Sequence, residues 1–248
     1  MLNCGLVTVT FRKFDKEKIV KISKDAGLSL LEWGGDIHVP PMNKAEIEKA
    51  VSLTSSHGLK IAAYGSYYKC RGPEEDMIAA IDTAALLGAD TIRVWPGEGH
   101  TYEMTAEERR GFIDNLRKAC RYAAAKKITV STEFHPHTLT DCTESTMRMI
   151  DEVADENLRL YWQPNQHKTE EYNIDSLKKV LPYLTNVHVF TWKGDDKFPL
   201  ITGEKIWRQY IDIIASDNRD HGMLLEFIHD DTEEQCYKDA EVLAGWLR

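Results

Sequence analysis

Three residues able to ligate a metal or move a proton interrupt apolar runs of this 248-residue chain: Glu133 in TVSTEF, His188 in NVHVF and Glu226 in MLLEFI. A carboxylate left unpaired in such surroundings costs several kcal/mol. Two buried carboxylates and an imidazole need something positive among them, and a divalent cation is the simplest candidate. Gln163, which ends the run LRLYWQ, adds an amide oxygen. The resulting mixed oxygen and nitrogen shell leaves room for two oxygens of a substrate. It suits manganese, magnesium, cobalt or zinc. Each residue also has a plainer reading. A glutamate near a strand end can pair with Lys or Arg, a core histidine can simply be hydrogen-bonded, and a glutamine before Pro164 can be a turn residue.

The elements that would position these residues are legible as an alternation. Eight short apolar runs recur: CGLVTVT, LSLLEW, LKIAAY, DTIRVW, ITVSTEF, LRLYWQ, VHVFTW and MLLEFI. Helical signals lie between them. Asn43 with Glu46, Thr105 with Glu108, Asp141 with Glu144, and Thr232 with Gln235 have capping-box spacing. Pro73 suits a helix's first turn, and Gly27, Gly58 and Gly88 suit left-handed helix ends. Near-continuous apolar strands joined by helices imply a parallel sheet covered by helices. The 248 residues divided by eight units give 31 per unit, about one strand and one helix each. The expected fold is a single-domain α/β (β/α)8 TIM barrel spanning residues 1–248. A doubly wound open sheet is the alternative, but no glycine-rich turn follows the first strand.

In a parallel barrel, chemistry gathers where strands end. Those ends carry Glu32 and Trp33, Tyr64, Arg93 and Trp95, Glu133, Gln163, and Glu226, with His188 inside the seventh strand. Trp33, Tyr64 and Trp95 offer flat rings for a sugar face. His38, His135 and His167 could hydrogen-bond a hydroxyl or carbonyl, and Lys193 could neutralise a carboxylate or phosphate. For each, a packing or surface role is the bland alternative. No dedicated phosphate loop is present.

Bulk composition narrows the classes. The chain has 31 basic and 40 acidic residues, a formal charge of -9, which disfavours a general nucleic-acid surface. Its five cysteines are odd in number and none has CxxC spacing, so neither a disulfide framework nor a zinc ribbon is expected. No basic segment followed by a long apolar run opens the sequence, and no stretch approaches ~18 apolar residues. A cytoplasmic protein without membrane or nucleic-acid partners is expected, with homo-oligomerisation left open.

At these residues the chain resembles the xylose-isomerase-like TIM-barrel superfamily, which includes sugar isomerases, ketose 3-epimerases, inosose dehydratases, hydroxypyruvate isomerases and endonuclease IV. The resemblance covers essentially the whole chain. It is most specific in LLEWGGDIHVP, AAYGSYY and TEFHPHTLT, which are similar to bacterial proteins labelled sugar phosphate isomerase/epimerase. It implies one metal, manganese first, held at the positions of Glu133, Gln163, His188 and Glu226. Relatives use an aspartate where this chain has Gln163, so the centre here would be neutral rather than singly negative. The resemblance also implies that Glu133 and Glu226 exchange a proton at a carbon next to a carbonyl of a small carbohydrate or polyol.

That reading puts a metal-dependent isomerase or epimerase first. A lyase that eliminates a β-substituent from a keto-sugar or keto-inositol on the same site comes second. An endonuclease-IV-like repair enzyme would need a three-zinc cluster and a basic face, and a non-catalytic barrel would leave Gln163 a relic of a weakened site. Gln163→Asp is expected to tighten metal binding and alter turnover. Unchanged metal affinity in that variant would return Gln163 to the turn reading.

Overall fold

Eight strands close on themselves without an edge. A computed structural model describes residues 1–248. The chain runs β1 (Leu2–Val7), α1 (Lys16–Asp25), β2 (Leu30–Gly34), α2 (Lys44–Ser56), β3 (Lys60–Gly65), α3 (Glu74–Leu87), β4 (Thr91–Val94), α4 (Ala106–Ala124), β5 (Thr129–Glu133), α5 (Thr143–Val153), β6 (Leu158–Trp162), α6 (Glu170–Val180) and β7 (Leu184–Val189). It continues through β8 (Thr191–Lys193), β9 (Asp196–Phe198), α7 (Glu204–Ala215), β10 (His221–Leu225) and α8 (Glu233–Trp246). The barrel order is β1-β10-β7-β6-β5-β4-β3-β2, and every neighbouring pair is parallel. The expected (β/α)8 barrel is therefore the observed one. No helix is long and apolar enough to cross a membrane.

Strand parity divides the side chains into two populations. Outward residues such as Leu31, Trp33, Ile92, Val130, Leu160 and Val187 join the large apolar layer beneath the helices. Inward residues form a smaller apolar plug of Val7, Val9, Ala63, Tyr161 and Leu224. Successive strand residues point to opposite faces, so Glu32, Arg93, Glu133 and His188 fall on the inward parity at the carboxyl end of the barrel. In the strand register Val7 and Ala63 lie level with Glu32, Tyr161 with Glu133 and Leu224 with His188.

The helix ends follow local chemistry. Thr105 and Glu108 form a reciprocal capping box, while Asn43 and Thr232 each accept from the backbone three residues on. Asp15 and Thr169 do the same for α1 and α6. The expected Asp141–Glu144 cap is not formed. Cys142 holds the N-cap position of α5 without a side-chain bond, and Asp141 instead accepts from the Thr101 backbone at 2.9 Å. That contact ties the loops after β4 and β5 together. A further departure is the antiparallel β8–β9 hairpin, inserted between β7 and α7. The turn residues of KGDDK signal it.

Gly88 ends α3 in the left-handed region at φ 71°, where its N–H reaches back to the α3 carbonyls. A β-carbon there costs about 1–2 kcal/mol. Gly88→Ala is expected to lower unfolding free energy by about that amount in urea titrations. Because the turn lies between α3 and the start of β4, metal affinity should not change.

Candidate metal centre

Four strand ends bring Glu133, Gln163, His188 and Glu226 together. Glu133 is the last residue of β5, Gln163 follows β6, His188 stands near the end of β7, and Glu226 follows β10. His188 Nδ1 lies 3.2 Å from Glu133 Oε1, 3.3 Å from Glu226 Oε2 and 3.1 Å from Gln163 Oε1. Ligand atoms of Glu133, His188 and Glu226 all lie within 4.8 Å of one another, and the three residues are buried. Neighbouring ligands of an octahedral ion with bonds of about 2.1 Å are separated by about 3 Å. The donor set and its spacing therefore fit a small divalent cation.

Gln163 is oriented for the same point. Its amide nitrogen donates to the Phe134 carbonyl at 2.8 Å, which turns Oε1 towards His188 Nδ1. A carboxylate could not make that donation. The amide oxygen of Gln163 thus faces His188, while its nitrogen is bonded within the protein.

Two residues complete the electrostatics that sequence reading left unassigned. Arg93 on β4 donates from Nε to Glu32 Oε1 at 2.7 Å and from Nη1 to Glu133 Oε2. Glu32 on β2 also lies 3.4 Å from His188 Nε2 through its second oxygen. Glu32 is 0%, Arg93 1% and Glu133 3% exposed, so these charges meet with little screening from water. The signal was present: Glu in LLEW and Arg in DTIRVW are as out of place in apolar strands as Glu133 is.

The pKa pattern follows from these contacts. Burial opposes ionisation of Glu133, but Arg93 and His188 outweigh it and hold its carboxyl well below the usual range. Burial likewise opposes charge on His188, yet Glu226, Glu32 and Glu133 raise its pKa well above that of an ordinary imidazole. Without a metal, the imidazolium supplies the positive charge between the carboxylates.

The remaining sequence candidates separate by parity. Glu32 faces inward, so Trp33 faces outward: it is fully buried and donates to Thr54 on α2 at 3.1 Å. Tyr64 is outward too, between inward Ala63 and Gly65, and its hydroxyl donates to the Val39 carbonyl at 3.0 Å. His38 packs edge-on to Trp33, with Nδ1 3.0 Å from Thr8 Oγ1. Burial lowers its pKa to about 4. The substrate contacts expected of Trp33, His38 and Tyr64 are thus corrected to packing in the outer layer. Trp95 is at the centre, but as a donor from Nε1 to Glu133 Oε2, and His135 stacks on it at 4.3 Å. A small cleft joins Phe134, His135, Gln163 and His167. His167 is exposed on its rim, 3.7 Å from Asp195. Lys193 is exposed on the hairpin and lines a separate cavity of about 460 Å³ with Lys168 and Lys205.

A family model described as xylose isomerase-like TIM barrel matches residues 20–246. The chain belongs to this family. Among its relatives, a 3-dehydroshikimate dehydratase of Bacillus anthracis is 24% identical over 200 residues, covering 74% of this chain and 70% of the relative. A crystal structure of a probable 3-DHS dehydratase from the same organism superposes with a TM-score of 0.79 at 19% identity, covering 98% of this chain and 99% of the other. D-allulose 3-epimerase from Methylomonas sp. gives a TM-score of 0.74 at 14% identity, covering 99% and 98%. A family protein from Mycobacterium smegmatis in complex with magnesium gives 0.76 at 16% identity, covering 99% and 96%. At these identities the structural matches establish the fold. The relatives so matched include a dehydratase and an epimerase.

The raised His188 pKa generates a signed expectation. A divalent ion must displace the His188 proton, so apparent metal affinity should rise by up to about tenfold per pH unit until that pKa is passed. The metal-free protein should behave in the opposite sense. The imidazolium's stabilisation is complete below the unfolded imidazole value of about 6.5 and is lost as pH rises through the folded value. Calorimetric metal titrations and thermal midpoints of metal-free protein across this range check both signs.

Proposed function

We propose that the protein is a metal-dependent lyase that removes water from a small ketone of the carbohydrate or polyol class, by taking a proton from the carbon next to the carbonyl. The observation that carries this reading is an asymmetry between the two carboxylates. One oxygen of Glu133 accepts from both Arg93 and Trp95, whereas Glu226 meets only His188. A carboxylate held by a guanidinium and an indole N–H is a poor proton acceptor. Of these two, Glu226 is then the better placed to act as base. Epimerisation through Glu133 and Glu226 needs both to exchange protons on opposite sides of one carbon. Elimination needs one base and an acid for the departing hydroxyl.

Glu133, Gln163, His188 and Glu226 would hold one divalent ion. Manganese is the first candidate, and the magnesium complex of a relative keeps that ion beside it. Bound there, such an ion would polarise the substrate carbonyl and stabilise the charge that develops on its oxygen. Glu226 takes the proton from the adjacent carbon, and the electron pair forms the new carbon–carbon double bond. The β carbon–oxygen bond breaks as His135, held against Trp95, gives its proton to the hydroxyl, which leaves as water. Proton return from Glu226 to His135 through solvent resets the site. Arg93 and Trp95 keep Glu133 ionised and immobile throughout. The 24% identical dehydratase supports this reaction class.

Isomerisation or epimerisation is the second reading. It is supported by the approach of both Glu133 and Glu226 to His188 Nδ1 and by the epimerase among the fold's neighbours. Product mass separates the two. Metal-loaded protein incubated with 3-dehydroshikimate and with D-allulose should give a product lighter by one water from the former under the lyase reading. A product of unchanged mass from the latter would favour the second. At saturating metal, Glu226→Gln is expected to lower turnover by about 100-fold or more. Turnover unchanged in that variant would remove Glu226 from the base role.

A further inference from the structure

The two nitrogens of His188 face different worlds. Nδ1 faces Glu133, Glu226 and Gln163, whereas Nε2 lies 3.4 Å from Glu32 Oε2. A neutral imidazole carries one N–H, and which nitrogen bears it depends on the partner of the other. With the proton on Nδ1, the Nε2 lone pair would face a buried carboxylate and the metal side would face a proton. With the proton on Nε2, Glu32 accepts it and the Nδ1 lone pair is free for an ion.

Glu32 is itself held. Its other oxygen accepts from Arg93 Nε at 2.7 Å, and the same guanidinium reaches Glu133. One planar group thus ties a carboxylate behind the imidazole to a carboxylate in front of it. Glu32 comes from β2 and Arg93 from β4, although β3 runs between them. They meet because the inward position of β3 at that level is Gly65. A β-carbon there would lie 2.5 Å from Glu32 Oε1 and 2.8 Å from Arg93 Nη2. The backbone of Gly65 is ordinary extended strand, so the requirement is for space.

The charges also balance. Glu32, Glu133 and Glu226 against Arg93 leave an excess of two negative charges, which a divalent ion neutralises with His188 neutral and Gln163 uncharged. An aspartate in place of Gln163 would exceed that balance.

We propose that Glu32, clamped by Arg93 in the space left by Gly65, is a positioning residue that orients His188 Nδ1 towards the metal and supplies from behind the imidazole the negative charge that Gln163 does not. This rests on the metal reading above. The test is calorimetric titration of metal-free protein with Mn2+, with the visible spectrum of the Co2+ form as a second readout of His188 ligation. Loss of such an outer partner weakens metal binding about 10- to 100-fold. Glu32→Gln should show that loss and a changed Co2+ spectrum. Adding Gln163→Asp should raise affinity more in the Glu32→Gln background than it does in the wild type, an excess over additivity that a merely structural role for Glu32 would not give. Gly65→Ala should lose affinity similarly, and adding it to Glu32→Gln should have little further effect. Glu32→Gln binding Mn2+ as tightly as wild type would overturn this inference alone. Failure of the wild type to bind Mn2+ would overturn it together with the metal reading.

Discussion

The interior of this barrel is organised around one guanidinium. Arg93 sits where most barrels place aliphatic side chains, and it faces Glu32 and Glu133 at once. A buried ion pair of this kind returns little net stability, because desolvating the charges offsets their attraction. Its value lies in geometry. Two carboxylates from strands on either side of the barrel wall are held at fixed positions, and His188 lies between them. Remove the guanidinium and three buried carboxylates would repel one another around an imidazole. The apolar side chains interleaved with them, Val7, Ala63, Tyr161 and Leu224, keep water from relieving that repulsion.

This arrangement gives two glutamates of the same type different chemistry. Glu133 is committed by its donors, and Glu226 is not. Environment rather than residue type separates the two, since Glu133 accepts from Arg93 and Trp95 while Glu226 accepts from neither. Gln163 extends the same logic. Its amide can satisfy the Phe134 carbonyl and still present an oxygen to the cluster, a pair of tasks that a carboxylate could not perform together.

Much of the architecture was legible in the sequence, because eight apolar runs separated by capped amphipathic segments admit few folds. The convergence of Glu133, Gln163, His188 and Glu226 was legible too, once each was assigned to a strand end. What went unread followed from parity and from pairs of strands. Position at a strand end puts Trp33 and Tyr64 near the mouth, but the alternation that turns Glu32 and Gly65 inward turns these rings outward. The Glu32–Arg93 pair joins strands that are not neighbours, which no local pattern reports. The β8–β9 hairpin was missed because its three-residue strands are too short to show alternation.

The protonated state of His188 has a consequence for how the molecule is made. An imidazolium occupies, in charge, the role that the ion takes later. The barrel is therefore electrostatically acceptable to itself before any metal arrives, unlike small domains whose chains stay unfolded until an ion is bound. Under the proposed metal reading, folding and metal binding would be separate events, joined by the exchange of a proton for an ion. Under that reading, a chain could complete its barrel in metal-poor surroundings, with the proton on His188 standing in for the ion.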